Sequence, residues 1–309
     1  MRCWGLEMDL KLISKINRLK KEKNAVMLVH NYQRPEIYRV ADFIGDSLEL
    51  SKEAAKTDAD IIVFCGVDFM AESAKILNPH KKVLIPVRDA QCPMAGMVTK
   101  EELLNLKRQH PEAAVVSYVN TSAETKAESD ICCTSSNCVE VVNSLPEKEV
   151  IFVPDENLAK YVQTKSDKRI IPWKGFCYVH SKITASQVKE AKSLHPEAKV
   201  LVHPECPLDV IALADKVCST SQMLYYAKEN EAREFIIITE HGMVERLKLE
   251  MPDKKFYAIV ATCIQQKKNT LPAVLRSIEE EIYPVSIDED VIKKARIALD
   301  RMLAVPKTD

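Results

Sequence analysis

The chain has 309 residues, 46% of them apolar and 29% charged, and a formal net charge of −1. This is an ordinary globular mix, long enough for two or three compact domains with sizeable cores. The near-zero charge gives no field favouring nucleic acid or an anionic membrane, and no apolar run approaches the ~20 residues that span a bilayer.

Met8–Lys23 is predicted as an amphipathic helix, with Leu10, Ile13, Ile16 and Leu19 on one face. Ala25–Val29 follows as a buried strand running into His30-Asn31-Tyr32-Gln33. Pro35–Phe43 reads as a helix, and Asp46-Ser47 caps another over Leu48–Thr57, because short oxygen side chains satisfy the free amides of a helix start. Asp60–Cys65 is a strand, Asp68–Leu77 a helix, and Lys82–Val87 a strand leading to Cys92.

A second copy of this unit runs helix Lys100–Gln109, strand Ala113–Val119, short helix Glu124–Glu128, strand Ile131–Cys133 and the cap Thr134-Ser135-Ser136-Asn137. It continues with helix Cys138–Ser144, strand Glu149–Val153, helix Asn157–Thr164 and strand Arg169–Trp173 before Cys177. The third copy is helix Ala185–Leu194, strand Lys199–Val202, helix Pro207–Asp215 and strand Lys216–Cys218. Ser219-Thr220 then caps helix Gln222–Glu229, followed by strand Phe235–Thr239, helix His241–Glu250 and strand Lys255–Val260 before Cys263. A last helix, Glu289–Leu303, is expected to return to the first unit.

The repeat is also visible in the letters. His110-Pro111-Glu112-Ala113 recurs 85 residues on as His195-Pro196-Glu197-Ala198, and at the same offset Tyr118 and Asn120 map to His203 and Glu205. The period exceeds the roughly 20–50 residues of solenoids, so each copy is a small domain. Strands alternating with helices predict an α/β fold: three pseudo-equivalent αβα domains, each a parallel sheet between helix layers. The domains are set at 1–97, 98–181 and 182–286, with the C-terminal helix of 287–305 against the first. Chemistry in such sheets gathers beyond the carboxyl ends of the strands. His30 and Tyr32, Tyr118 and Asn120, and His203 and Glu205 all fall there, so three such edges facing inward would enclose one central site with pseudo-threefold symmetry.

Cys92, Cys177 and Cys263 end equivalent strands 85 and 86 residues apart. The first 23 residues carry no apolar signal core, which predicts a cytoplasmic protein with reduced thiols. Ten cysteines then point to metal or catalytic use before disulfides. Taken singly, each of the three is more readily a buried core cysteine; their regular spacing favours ligation. Three thiolates leave one metal position open, as in a Lewis-acid site. The tempting local cluster Cys132, Cys133 and Cys138 reads as core, since adjacent strand residues point to opposite faces. Cys65 and Cys218 end apolar strands and read as core too, and Cys206 is placed beside the cavity without ligating. His30, His180 and His203 are candidates for acid–base work or carboxylate binding. Glu205 is the best candidate general base, with burial expected to raise its pKa toward neutrality. Ser47, Ser135 and Thr220 sit at helix starts, which cap but also bind anions, so a polyanionic substrate or two anionic substrates are expected. No glycine-rich nucleotide loop is present.

Several motifs together resemble the quinolinate synthase family. They are His30-Asn31-Tyr32-Gln33, Gly45-Asp46-Ser47-Leu48, Gly66-Val67-Asp68-Phe69-Met70-Ala71-Glu72, Tyr118-Val119-Asn120, Thr134-Ser135-Ser136-Asn137, Lys174-Gly175-Phe176-Cys177-Tyr178-Val179-His180 and His203-Pro204-Glu205-Cys206. The likeness runs from about Leu12 to Leu303. It implies three α/β domains around one [4Fe–4S] cluster held by Cys92, Cys177 and Cys263, with the fourth iron site open. It also implies substrate contacts from His30, Ser47, Tyr118, Asn120, Ser135, His180, His203, Glu205 and Thr220, with Tyr32, His203 and Glu205 as catalytic candidates. The implied reaction condenses iminoaspartate with dihydroxyacetone phosphate to quinolinate, releasing phosphate and water, in NAD biosynthesis. The implied partners are those two small molecules and, transiently, the enzyme that makes iminoaspartate. Where the family usually has a glycine pair, this chain has Ser221-Gln222. A hydro-lyase with an open-iron cluster and a three-domain binding protein or iron sensor are the competing readings of the residues.

Overall fold

The computed structural model describes residues 2–259 and 261–306, with side chains from Met8 onward. Each third of the chain builds the same four-stranded sheet. The first third runs α1 (Arg2–Glu22), β1 (Ala25–His30), α2 (Pro35–Tyr38), β2 (Phe43–Gly45), α3 (Ser47–Lys56), β3 (Ile61–Cys65), α4 (Asp68–Leu77) and β4 (Lys82–Leu84). The second runs α5 (Lys100–Gln109), β5 (Ala114–Tyr118), α6 (Ala123–Ala127), β6 (Ile131–Cys133), α7 (Cys138–Ser144), β7 (Glu149–Val153), α8 (Glu156–Gln163) and β8 (Arg169–Pro172). The third runs α9 (Ala185–Leu194), β9 (Lys199–Val202), α10 (Leu208–Ile211), β10 (Lys216–Val217), α11 (Thr220–Glu229), β11 (Glu234–Ile238), α12 (Gly242–Glu250) and β12 (Lys255–Ala258). Helices α13 (Leu271–Glu280) and α14 (Glu289–Ala304) complete the chain.

The strand orders are β2-β1-β3-β4, β6-β5-β7-β8 and β10-β9-β11-β12, with every pair parallel. The fold is therefore α/β, with three helix-flanked parallel sheets, as the sequence predicts. Central strands are buried on both faces, which is why they read as unbroken apolar runs. In β1, Val26 and Leu28 face α3 and α4, while Met27 and Val29 face α1 and α13. In the third sheet, Leu201, Phe235 and Ile237 pack on Met223 of α11 and Leu247 of α12, and Val200 and Ile236 on Val188 of α9. After each first strand the chain winds to one edge, then crosses back to the other. That reversal leaves a crevice at the carboxyl ends of the central strands.

A carboxylate pins the start of each first strand: Asp42, Asp130 and Asp215 accept from the amides of Met27, Val115 and Val200 at 2.7, 2.7 and 2.8 Å. The same bond explains two differences from the expected elements. The helices expected over Pro35–Phe43 and Pro207–Asp215 are single turns, because the chain must unwind to present Asp42 and Asp215 to their strands. Residues Phe43–Gly45 are instead the edge strand β2. Strand β12 ends at Ala258; Val260, expected within it, lies outside the described residues.

Helix α13 was not anticipated, although Leu271, Val274 and Ile278 form its buried stripe and Thr270 its N-cap. It lies beside α1 on the first sheet, where Val274 and Ile278 join Ile13 and Ile16. Helix α14 packs on α6 and β6 of the second unit as well as α4 of the first. Its Arg296 Nη1 donates to Leu77 O at 2.8 Å and its Arg301 Nη1 to Asp130 O at 2.6 Å. It closes the seam between two units instead of covering the first alone.

Candidate active site

The carboxyl edges of the three sheets meet around one cavity. Its wall includes His30 and Tyr32 at and just past the end of β1, Tyr118 and Asn120 around the end of β5, and His203 and Glu205 after β9. Cys92, Cys177 and Cys263, carried on the loops after β4, β8 and β12, line it as well, and so do His180, Ser47, Ser135 and Thr220. Every site residue anticipated from the sequence thus reaches the same space. Cys206 is fully buried in the third unit's core and does not line it.

The helix starts differ in detail from expectation. The N-caps are Asp46, which accepts from Leu48 N and Glu49 N at 3.0 Å, and Ser219, which accepts from Gln222 N at 3.4 Å. Ser47 and Thr220 are therefore the first helical residues of α3 and α11. Ser135 lies in the turn before α7, where Asn137 Oδ1 accepts from Thr134 N at 2.8 Å. Capping commits the amides of Leu48 and Glu49 to Asp46, so at α3 it is Ser47 that reaches the cavity. Ser221 is built into the seam of the first and third units, and Gln222 Nε2 donates across to Ser136 O of the second at 3.4 Å. Asp46 N donates to Ser221 Oγ at 3.1 Å, and Gln222 Oε1 completes a capping box on Ser219 N at 2.8 Å.

A continuous hydrogen-bonded chain crosses the cavity wall. Tyr32 Oη lies 2.5 Å from Thr239 Oγ1, and Thr239 Oγ1 lies 2.8 Å from His180 Nε2. His180 Nδ1 is 2.6 Å from Glu205 Oε2, and Tyr118 Oη donates to Glu205 Oε1. Each hydroxyl has one proton and the carboxylate only accepts. Glu205, an acceptor only, takes His180 Nδ1–H at one oxygen and the Tyr118 hydroxyl at the other, and Thr239 links the far side of the imidazole to Tyr32. His203 stacks on His180 with ring centroids 4.5 Å apart.

The electrostatics correct one expectation. Burial alone would raise the Glu205 pKa, but His180, His203 and the Tyr118 hydroxyl outweigh it and hold the carboxyl below its ordinary value. Glu205 is thus a stabilised carboxylate, not one poised near neutrality, because the hydrogen bonds from His180 and Tyr118 and the surrounding imidazoles outweigh desolvation. Burial lowers His30 to about 4 and His203 to about 3. Each takes a backbone amide two residues on at Nδ1, Tyr32 N at 3.2 Å and Glu205 N at 3.4 Å. Both rings are then neutral with the proton on Nε2, giving two donors for an anionic ligand. Burial followed by the nearby Glu205 pushes Tyr32 and Tyr118 well above the ordinary phenol value. Asn120 Oδ1 is buried without a protein partner and marks a place for a ligand donor.

The thiol set suits a metal centre. Cys92, Cys177 and Cys263 are all free, and burial raises each thiol pKa, so a buried cation is what would stabilise the thiolates. Cys177, His180 and Glu205 also bring donor atoms within 4.8 Å of one another, a group able to hold a metal ion. Gly175 is needed beside Cys177: a Cβ there would meet Pro154 O at 2.3 Å. Thr239, Asp68, Asp155 and Glu240 were not singled out from the sequence, although all four end or follow a third strand of their unit.

A family model described as "Quinolinate synthetase A protein" matches residues 14–304. The chain belongs to the quinolinate synthetase A family. "Quinolinate synthase" of Alkaliphilus metalliredigens is 52% identical over 300 residues, 96% of this chain and 99% of its own length. "Quinolinate synthase 1" of Methanosarcina acetivorans is 55% identical over 296 residues, covering 95% and 97%. The Geobacter metallireducens "Quinolinate synthase" is 53% identical over 294 residues, covering 94% and 97%. Membership in this family makes the chain an enzyme, and its cavity is the candidate active site. Among the described residues no helix is long and apolar enough to cross a membrane.

Proposed function

We propose that this enzyme condenses iminoaspartate with dihydroxyacetone phosphate to quinolinate, releasing phosphate and two waters, in NAD biosynthesis. The carrying observation is that three free thiols and Tyr32, His180, Glu205 and Tyr118, joined by hydrogen bonds through Thr239, line one cavity. On this reading the domains are 1–97, 98–181 and 182–286, and each contributes one cysteine to a [4Fe–4S] cluster. Held by Cys92, Cys177 and Cys263, the cluster would supply a Lewis-acid iron with one open position.

The chain's own residues would do the rest. Neutral His30 and His203 donate Nε2–H to substrate carboxylates, and the hydroxyls of Ser47, Ser135 and Thr220 bind the remaining anionic oxygens. Asn120 Oδ1 accepts from a substrate nitrogen or hydroxyl. Tyr32 and Glu205 exchange protons with the condensing carbons, while Thr239 and His180 link them. Iminoaspartate reaches this cavity, on the same reading, by transient contact with the enzyme that makes it, in the cytoplasm.

Anaerobically reconstituted protein supplied with in situ iminoaspartate and dihydroxyacetone phosphate should form quinolinate and phosphate in equal amounts. Glu205→Gln should keep its iron and lose about 10²–10⁴-fold in kcat. Dehydration of a hydroxy acid with no quinolinate formed would favour the hydro-lyase reading. Substrate affinity without any turnover would favour a binding protein.

A further inference from the structure

The three cysteine loops share an attachment that the thiols alone do not require. In each unit a carboxylate accepts a hydrogen bond from the backbone amide of the cysteine. Asp68 Oδ1 accepts from Cys92 N at 2.9 Å, Asp155 Oδ2 from Cys177 N at 3.2 Å, and Glu240 Oε1 from Cys263 N at 3.2 Å. Each carboxylate also binds the start of the helix after its unit's third strand. Asp68 Oδ1 takes Phe69 N at 2.9 Å, Asp155 Oδ1 takes Leu158 N at 2.8 Å, and Glu240 Oε2 takes Gly242 N at 2.7 Å.

A second bond lies beside the first in every unit. The carbonyl two residues before the cysteine accepts from the same helix start: Ala90 O from Asp68 N at 3.0 Å, Gly175 O from Glu156 N at 2.8 Å, and Ala261 O from His241 N at 2.8 Å. The loop is thus held on both sides of the peptide that leads to the cysteine. One attachment would leave a hinge; two fix the direction of the thiol. The pattern appears in three units whose local sequences differ, Val67-Asp68-Phe69, Pro154-Asp155-Glu156 and Thr239-Glu240-His241. Capping one helix cannot account for it, because Asp155 caps α8 with one oxygen and holds Cys177 with the other.

We propose that Asp68, Asp155 and Glu240 are positioning residues that keep the three thiols aimed at one point, so that the iron–sulfur cluster is retained by a prebuilt cage. This rests on the cluster reading given above. Partners that orient metal ligands are typically worth about 10–100-fold in metal retention. The acceptor oxygen, not the charge, carries the effect.

Asp68 separates these two possibilities, since one of its oxygens accepts both bonds. Asn at that position keeps an acceptor oxygen and loses the charge, whereas Ala loses both. The measurement is the half-time of iron release from anaerobically reconstituted protein to a ferrous chelator, with the melting temperature of each apo-protein alongside. Asp68→Ala and Asp155→Ala should release iron about 10–100-fold faster than the parent. Asp68→Asn should stay within about twofold of the parent, as retention of the oriented acceptor requires. If Asp155→Ala does not fold for want of its helix cap, Asp68→Ala and Asp68→Asn decide the matter. Equal release from Asp68→Ala and the parent overturns the inference, as does Asp68→Asn behaving like Asp68→Ala. A parent that takes up no iron and sulfide overturns the cluster reading itself, a different and recognisable failure.

Discussion

Two sets of three cysteines lie in this molecule, and they differ in a way that thiol chemistry alone does not show. Cys132, Cys133 and Cys138 are near neighbours in sequence, yet all are buried in the apolar core with Val116, Val141 and Ile131. Cys92, Cys177 and Cys263 are far apart in sequence and line one cavity. Burial raises the thiol pKa in both sets, pushing Cys132 and Cys138 up to about 12 and Cys263 upward as well. What separates the sets is topology. The second set follows the last strand of each sheet, where three carboxyl edges meet, and each member's amide is tied down by a carboxylate. Convergence of the fold brings three distant cysteines to one cavity, and closeness along the chain is a poor guide to which thiols meet there.

The sharpest way to break this comparison is Cys177→Ser. It should lose the bound iron and sulfide and, with them, turnover to below detection, because two thiolates cannot hold a cluster that needs three. Iron and labile sulfide assays on anaerobically purified protein check this. Iron content equal to the parent would remove Cys177 from the ligand set and return the question to the core cysteines.

Thr239 sharpens the comparison for residues that are not ligands. It is fully buried just past β11, at the same converging edge, and joins Tyr32 of one unit to His180 of another. Thr239→Val preserves the shape, removes the linking hydroxyl and leaves the 2.6 Å contact of His180 with Glu205 in place. The expected result is a fall in kcat of about 10–100-fold with iron content unchanged, the usual cost of losing the partner that orients a working imidazole. Unchanged kcat would mean that Tyr32 and Glu205 act independently.

The same contrast explains what could be read from the sequence. The central strands were legible because helices on both faces demand continuous apolar runs, and three strand-end cysteines 85 and 86 residues apart, with the element order repeating between them, gave the three-unit plan. The strand β2 was not legible, since its first residue, Phe43, was absorbed into the helix expected from Pro35. Helix α13 could have been found from its cap Thr270 and its apolar stripe, but it falls outside the repeat that guided the reading. The lowered pKa of Glu205 was hidden for a different reason. Its direction is set by His180 and Tyr118, which approach only after three separate sheets have met. Asp68, Asp155 and Glu240 carried a usable signal: each is an acid 22 to 24 residues before its cysteine.

The smallest expected effect tests the core set. Cys133 contributes its sulfur to a closed apolar layer, so Cys133→Ala leaves a void about the size of one sulfur atom. The loss should be about 1–2 kcal/mol of stability, the range for removing one or two heavy atoms from a packed core. Urea unfolding of the apo-protein measures it, with a lower midpoint and an unchanged slope as the signature of a packing loss. Iron and sulfide content after reconstitution should match the parent, because no part of the cavity wall has moved. A loss of iron without a loss of stability would be the opposite pattern. It would mean that the adjacent cysteines, and not the convergent ones, hold the metal, and that neighbourhood in sequence had been the better guide.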